Sequence, residues 1–168
     1  MQENLKVKFK KLHKNAKIPK RADELCGGWD VTCTEINQIS SDVVICKLGF
    51  ALEIPAGYKL TLVPRSSFTR YKWILQNSPG LGDASYRGEY QYRFRAIPNE
   101  IKVILKSSSI ENRQYISGYK LSYPKFPYKI GDRVGQIYLE EILPIEFEEV
   151  EELSETDRGN GGFGSSGN

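Results

Sequence analysis

The chain has 168 residues, 39% of them hydrophobic and 27% charged, with a formal net charge of +3. That balance fits one globular domain with its own core and excludes wholesale disorder. It also excludes a membrane-spanning helix, because no apolar run approaches the roughly 18 residues needed, and nucleic-acid binding driven by bulk charge. Met1–Lys6 carries no apolar stretch, so no secretory signal is expected and the setting is read as cytoplasmic. Cys26, Cys33 and Cys46 show no C-x-x-C spacing and read as thiols in a reducing compartment. His13 is the single histidine, which excludes a two-histidine metal site and argues against a Ser-His-Asp or Cys-His apparatus. An enzyme built from this chain takes its base from a carboxylate or runs its chemistry with a bound metal.

Residues 1–21 hold eight basic side chains and one acid, Glu3. Leu5, Val7 and Phe9 alternate with the lysines, so this stretch reads as a half-buried strand with a wet lysine face rather than a nucleic-acid arm. Gly27-Gly28-Trp29-Asp30-Val31 is a turn feeding a strand. Further strands are predicted at Asp42–Leu48, Phe50–Ile54 and Tyr58–Val63, the last ending at the break Pro64-Arg65-Ser66-Ser67-Phe68. Gly80–Tyr90 reads as a hairpin leading into a strand at Tyr90–Arg95, with more strands at Ile101–Leu105, Val134–Leu139 and Ile145–Val150. Residues 140–157 hold nine acids and no base, but Ile142, Leu143, Ile145, Phe147 and Val150 interrupt the charge. Nearly every segment has period two and none shows a convincing helical period over twelve residues. The predicted class is all-β, a sandwich or jelly roll with little helix.

The last eleven residues, Arg158–Asn168, contain five glycines and build no core element. They do carry an arginine, a phenylalanine and two serines, groups able to wrap a nucleotide.

Singly, Gly27–Asp30, Arg65–Ser67, Asn77–Glu89, Gly131–Gln136 and Arg158–Gly167 are weak signals. In this order they resemble the five motifs of the trimeric dUTPase family, over about residues 5–94 and 128–168. The tail, Arg158-Gly159-Asn160-Gly161-Gly162-Phe163-Gly164-Ser165-Ser166-Gly167, matches the fifth motif almost letter for letter. Departures are Gly27 for alanine, Trp29 at an aromatic or leucine position, Gly82 for an apolar residue, Ser85 for a second aspartate and Gly135 for alanine. The glycine at 82 is expected to loosen its hairpin.

The resemblance implies a distorted dUTPase-type jelly roll, one domain over 1–157 and a flexible glycine-rich motif over 158–168. Residues 96–128 read as an inserted arm, similar to insertions in some phage-encoded members, and as a surface for a protein partner. The implied reaction is Mg²⁺-assisted hydrolysis of dUTP to dUMP and pyrophosphate by water attack on the α-phosphate. Asp83 then activates the water, Tyr86 packs on deoxyribose and excludes a 2′-hydroxyl, and Asn77 with the backbone of 77–83, Gly80 included, reads uracil. Arg65, Ser66, Ser67 and Gln136 contact phosphates, with bridging between subunits as a second reading of Arg65. Asp30 binds the metal indirectly, through water. Phe163 stacks on uracil, and Arg158, Gly164, Ser165 and Ser166 close over the phosphates. The family's sites are shared within a homotrimer. The alternatives are a dCTP deaminase of the same superfamily and a regulatory protein-binding module on the same fold.

Overall fold

β-branched and aromatic residues alternating with charged ones favour paired strands with one face buried. The computed structural model describes residues 5–107 and 114–161. In chain order its strands are β1 (Lys8–Lys11), β2 (Trp29–Thr32), β3 (Glu35–Gln38), β4 (Val43–Lys47), β5 (Phe50–Glu53), β6 (Tyr58–Val63), β7 (Trp73–Leu75), β8 (Gly80–Gly82), β9 (Gln91–Ala96), β10 (Glu100–Ser107), β11 (Gln114–Ser122) and β12 (Arg133–Glu141). A single 3-10 turn, Ser66–Arg70, follows β6. Two four-stranded sheets, ordered β2-β12-β6-β8 and β3-β4-β9-β7, enclose the core, and β1 pairs with β5 beside them. The fold is the all-β jelly-roll sandwich that the pattern predicts.

Strict alternation on β9 buries Tyr92, Phe94 and Ala96 and exposes Arg93 and Arg95. Tyr92 and Phe94 lie opposite Cys46 and Val44 of β4, and all four are fully buried. Each such side chain contributes roughly 1.5–3 kcal/mol. Leu60, Leu62, Val31, Val134 and Ile137 supply the facing layer from the other sheet. All three cysteines are free, and Cys33 and Cys46 are buried.

Four sequence expectations change. Gly80–Tyr90 is not a hairpin: β8 pairs with β6 in one sheet and β9 with β4 and β7 in the other, so the segment crosses between layers. Gly82 is not loose: its position is buried, and a Cβ there would stand 2.9 Å from Tyr90 Cε1 and 3.1 Å from Leu60 Cβ. The ring of Tyr90 occupies the room an apolar side chain would take. Ile145–Val150 forms no strand, because after the hydrogen bond from Ile142 N to Gly57 O (2.7 Å) no strand edge among the described residues receives it. The inserted arm is narrower than 96–128. Only the β10–β11 hairpin stands off, whereas Tyr123, Phe126 and Tyr128 pack against the core. Phe126 lies 5.0 Å from Trp73 and 5.3 Å from Phe94 between ring centres, and Tyr128 stacks on Phe68 at 5.7 Å.

Gly135 is explained by the same kind of packing. A Cβ there would fall inside the Tyr92 ring, whose hydroxyl donates to Gln136 O at 2.6 Å. Gly135→Ala should therefore destabilise by about 1–3 kcal/mol, the usual cost of overpacking a tight core. In denaturant unfolding, the double variant with Tyr92→Leu should lose less than the two single losses summed. Strict additivity would show that the ring does not set this glycine.

Candidate active site

β2 carries Asp30, and the β12 ladder sets Gln136 directly opposite it. The break after β6 brings Arg65 to the same place at the start of the 3-10 turn. Arg65 Nε lies 3.3 Å from Asp30 Oδ1, Gln136 Nε2 donates to the same oxygen at 3.2 Å, and Arg133 donates to Oδ2 at 2.7 Å. The Asp30 side chain is only 9% exposed. Burial makes an unpaired carboxylate costly, and these three donors meet that cost. Ser66 is exposed and Ser67 half-buried beside Arg65.

The second group is built on the crossing from β8 to β9. Asn77 spends both ends of its amide on β9: Nδ2 donates to Gln91 O at 3.0 Å, and Oδ1 accepts from Arg93 N at 2.9 Å. Gly80 pairs with Leu62, and a Cβ there would stand 3.0 Å from Asn77 O. Asp83 is exposed just beyond β8, and its carbonyl accepts from Tyr86 N at 3.0 Å. Arg87 closes the turn by donating to Ala84 O at 2.5 Å and Tyr86 O at 3.0 Å. The Tyr86 ring covers Gly88, packs edge-on against Tyr90 at 5.2 Å, and donates to Glu89 O at 3.1 Å. Glu89 in turn accepts from Gly49 N at 2.9 Å, tying the crossing to the β4–β5 turn.

Within one chain the two groups stay apart. β2 and β8 are opposite edges of one four-stranded sheet. Three strand spacings separate them, about 14 Å. Arg158 is exposed and donates from Nε to Gly161 O at 2.8 Å, in contact with neither group. Phe163, Gly164, Ser165 and Ser166 lie outside the described residues.

Sequence reasoning missed Arg133. Two residues three apart on a regular strand face opposite ways, so 133 and 136 should not share a partner. The β12 register against β2 shifts between Arg133 and Gly135, and this irregularity turns both toward Asp30. Glu89 and Tyr90 were also missed as supports of the crossing; the buried alternation that begins at Tyr90 was the available signal.

A dUTPase family profile matches residues 14–167, and the chain belongs to the dUTPase family. It is 36% identical over 165 residues to a deoxyuridine 5'-triphosphate nucleotidohydrolase from Helicobacter pylori, covering 97% of each. It is 34% identical over 167 residues to one from Wolinella succinogenes, covering 98% of this chain and 96% of that protein. Among solved structures, the Staphylococcus bacteriophage 80alpha dUTPase with dUPNHPP superposes with a TM-score of 0.73 at 26% identity, covering 96% of this chain and 98% of that one.

The Tyr90 hydroxyl is buried with no hydrogen-bond partner among the described residues. Burial first, then Tyr86 and Asp83, pushes this phenol up to about 12 against a pull from Arg87. A folded-state value above the ordinary phenol value of about 10 means the contribution is complete below that pH and lost as pH rises toward the folded value. Denaturant unfolding from about pH 8 to about pH 12 should show stability falling over the upper half of that range, less steeply in Tyr90→Phe. At neutral pH that variant should be as stable as the parent or more so; identical alkaline slopes would remove Tyr90 from this account.

Proposed function

We propose that this chain hydrolyses dUTP to dUMP and pyrophosphate at sites shared between the subunits of a homotrimer. The observation that carries the reading is the separation just described. The phosphate-suited group around Asp30 and the water-suited carboxylate Asp83 sit on opposite edges of one sheet. A second chain that brings its β8 edge against the first chain's β2 edge completes the site. Surfaces for such a neighbour are present. An apolar groove lined by Phe9, Trp29, Leu60, Ile137 and Leu139 lies open, and Leu143, Ile145, Phe147 and Leu153 of the stretch after β12 are 72–89% exposed.

Hydrolysis of a phosphoanhydride needs charge neutralisation, positioning and an activated water. Asp83 takes a proton from water as the oxygen bonds to the α-phosphorus. The bond from that phosphorus to the oxygen bridging to the β-phosphate breaks, and pyrophosphate leaves with the electron pair. Arg65, Ser66, Ser67 and Gln136 hold phosphate oxygens. The Tyr86 ring lies under the deoxyribose, where a 2′-hydroxyl finds no room. Asn77 fixes the segment through Gly80 whose peptide groups pair with uracil. Arg158, Phe163, Gly164, Ser165 and Ser166 close over the nucleotide from another subunit.

Magnesium suits these residues as an ion carried by the triphosphate: it keeps most of its waters and needs few protein ligands. Asp30 would hold one of those waters, since a carboxylate that accepts two hydrogen bonds and pairs with Arg65 still has lone-pair capacity free. When bound, the ion neutralises phosphate charge.

The β10–β11 hairpin supports a protein partner as a second role. Ile101, Val103, Leu105, Ile116, Tyr119 and Leu121 fall on one of its faces, all exposed. An apolar face of that kind commonly marks an interaction surface. The setting proposed for all this is the cytoplasm.

Turnover of dUTP with Mg²⁺, and its loss on adding EDTA, tests the reading; faster turnover of dCTP or UTP overturns it. Asp83→Asn should bind nucleotide and lower turnover by about 10²–10⁴-fold. Activity within about threefold of the parent would reassign the base. Truncation after Asp157 should leave thermal unfolding unchanged and abolish most turnover, through lost stacking of about 1–3 kcal/mol and lost water exclusion. Parental turnover in the truncated chain would leave the fifth motif without a function.

A further inference from the structure

A basic pocket adjoins the Asp30 group on the side away from Arg65. It has a volume of about 410 Å³ and is lined by Lys11, Lys17, Lys20 and Arg133, with Asp30, Thr32, Ala16 and Ile18 completing the wall. Four basic residues thus line a pocket with one carboxylate, and that carboxylate is already paired with two guanidiniums. Among the described residues, none of the three lysines has an acidic partner. The backbone beneath them is fixed. Lys20 exchanges hydrogen bonds with Asp30 (2.8 and 3.3 Å), Ala16 is buried and its N–H donates to His13 O at 3.0 Å, and Lys11 is held opposite Phe50 of β5. Like charges gathered around one pocket repel each other. A bound polyanion relieves that repulsion.

We propose that this pocket binds a diphosphate group, with Lys11, Lys17 and Lys20 as further phosphate-binding residues. Lysines act there as mobile point charges, suited to a hydrated, leaving anion rather than to fixed bidentate pairing. The proposal rests on the dUTP reading above, which supplies two sources of the group: the β,γ-phosphates of the bound nucleotide and free pyrophosphate. The Asp30–Arg133 pair forms the shared wall between the pocket and the residues around Arg65.

The test uses the full chain, titrated calorimetrically with inorganic pyrophosphate, with dUMP and with a non-hydrolysable imido analogue of dUTP, all with Mg²⁺. Lys11→Gln/Lys17→Gln/Lys20→Gln removes three exposed charges. Lys14→Gln/Lys72→Gln/Lys125→Gln removes the same charge outside the pocket. The pocket variant should lose at least tenfold in pyrophosphate affinity, keep its dUMP affinity, and melt like the parent. The control variant should lose less than about threefold, the size of a long-range effect screened by salt. A parallel loss for the imido analogue shows that the nucleotide's own diphosphate reaches the pocket; an unchanged analogue with weakened pyrophosphate assigns it to the product. Equal pyrophosphate affinity in parent and pocket variant, or equal loss in the control, overturns the proposal even if dUTP is hydrolysed. Failure of the parent to hydrolyse dUTP overturns the functional reading instead, while the pyrophosphate titration still reads the pocket.

Discussion

A carboxylate removed from water has to be paired, and the pairing of Asp30 organises one edge of this molecule. Its partners come from the 3-10 turn after β6 and from two positions of β12, so three chain segments are fixed relative to one another by one charge. Losing a partner of a buried charge typically costs about 3–5 kcal/mol, whereas an exposed pair contributes under about 1 kcal/mol. Arg133 is half exposed and Arg65 is not, so most of the constraint runs through Arg65. The same arrangement stores guanidiniums next to a site suited to phosphate. An anion that arrives with its own metal can draw on them without any backbone movement, because only side-chain rotation separates a carboxylate oxygen from a phosphate oxygen.

That group does not include Asp83. The Asp83 carboxylate sits at the far edge of the same sheet, held by a crossing that is rigid at both ends through Asn77 and Glu89. On the proposed reading these are two halves of one reaction, at opposite edges, that meet when copies do. The stretch after β12 has the side chains of a strand, but among the described residues no strand edge pairs with it.

The fold was legible where the period-two pattern ran for five or more residues, as on β4, β6, β9 and β12. It was not legible in β3 and β7, whose four and three residues carry too few alternations. The Ile145–Val150 segment shows the opposite failure, a strand-like pattern that the fold of a single chain does not pair. Motif order gave Arg65 and Gln136 to phosphates and Asp30 to a metal-bound water, which the structure gathers around the Asp30 carboxylate, and put Asn77, Asp83 and Tyr86 on one segment, read as a hairpin and found as a crossing. It could not place Arg133, because a register shift is a property of two strands together. Nor could it show that the two groups are separated by the width of a sheet, since spacing along the chain says nothing of strand order.

Two of the three glycines that depart from the family pattern, Gly82 and Gly135, share one cause. Tyr90 and Tyr92 stand two apart in the alternation that continues along β9, so both rings leave that sheet on the same side and press into the opposite one. There they meet Gly82 at the end of β8, next to Asp83, and Gly135 on β12, next to Gln136. Room left by glycine on one sheet is filled by a ring from the other, as a densely packed core requires. The exchange also adds a polar link. The Tyr92 hydroxyl donates to the Gln136 carbonyl, so the residue that faces Asp30 is fixed from the core side by a buried phenol as well as by its ladder. In this chain the core is thus part of the support of both groups: the packing that fills the sandwich also sets where the two edges present their side chains.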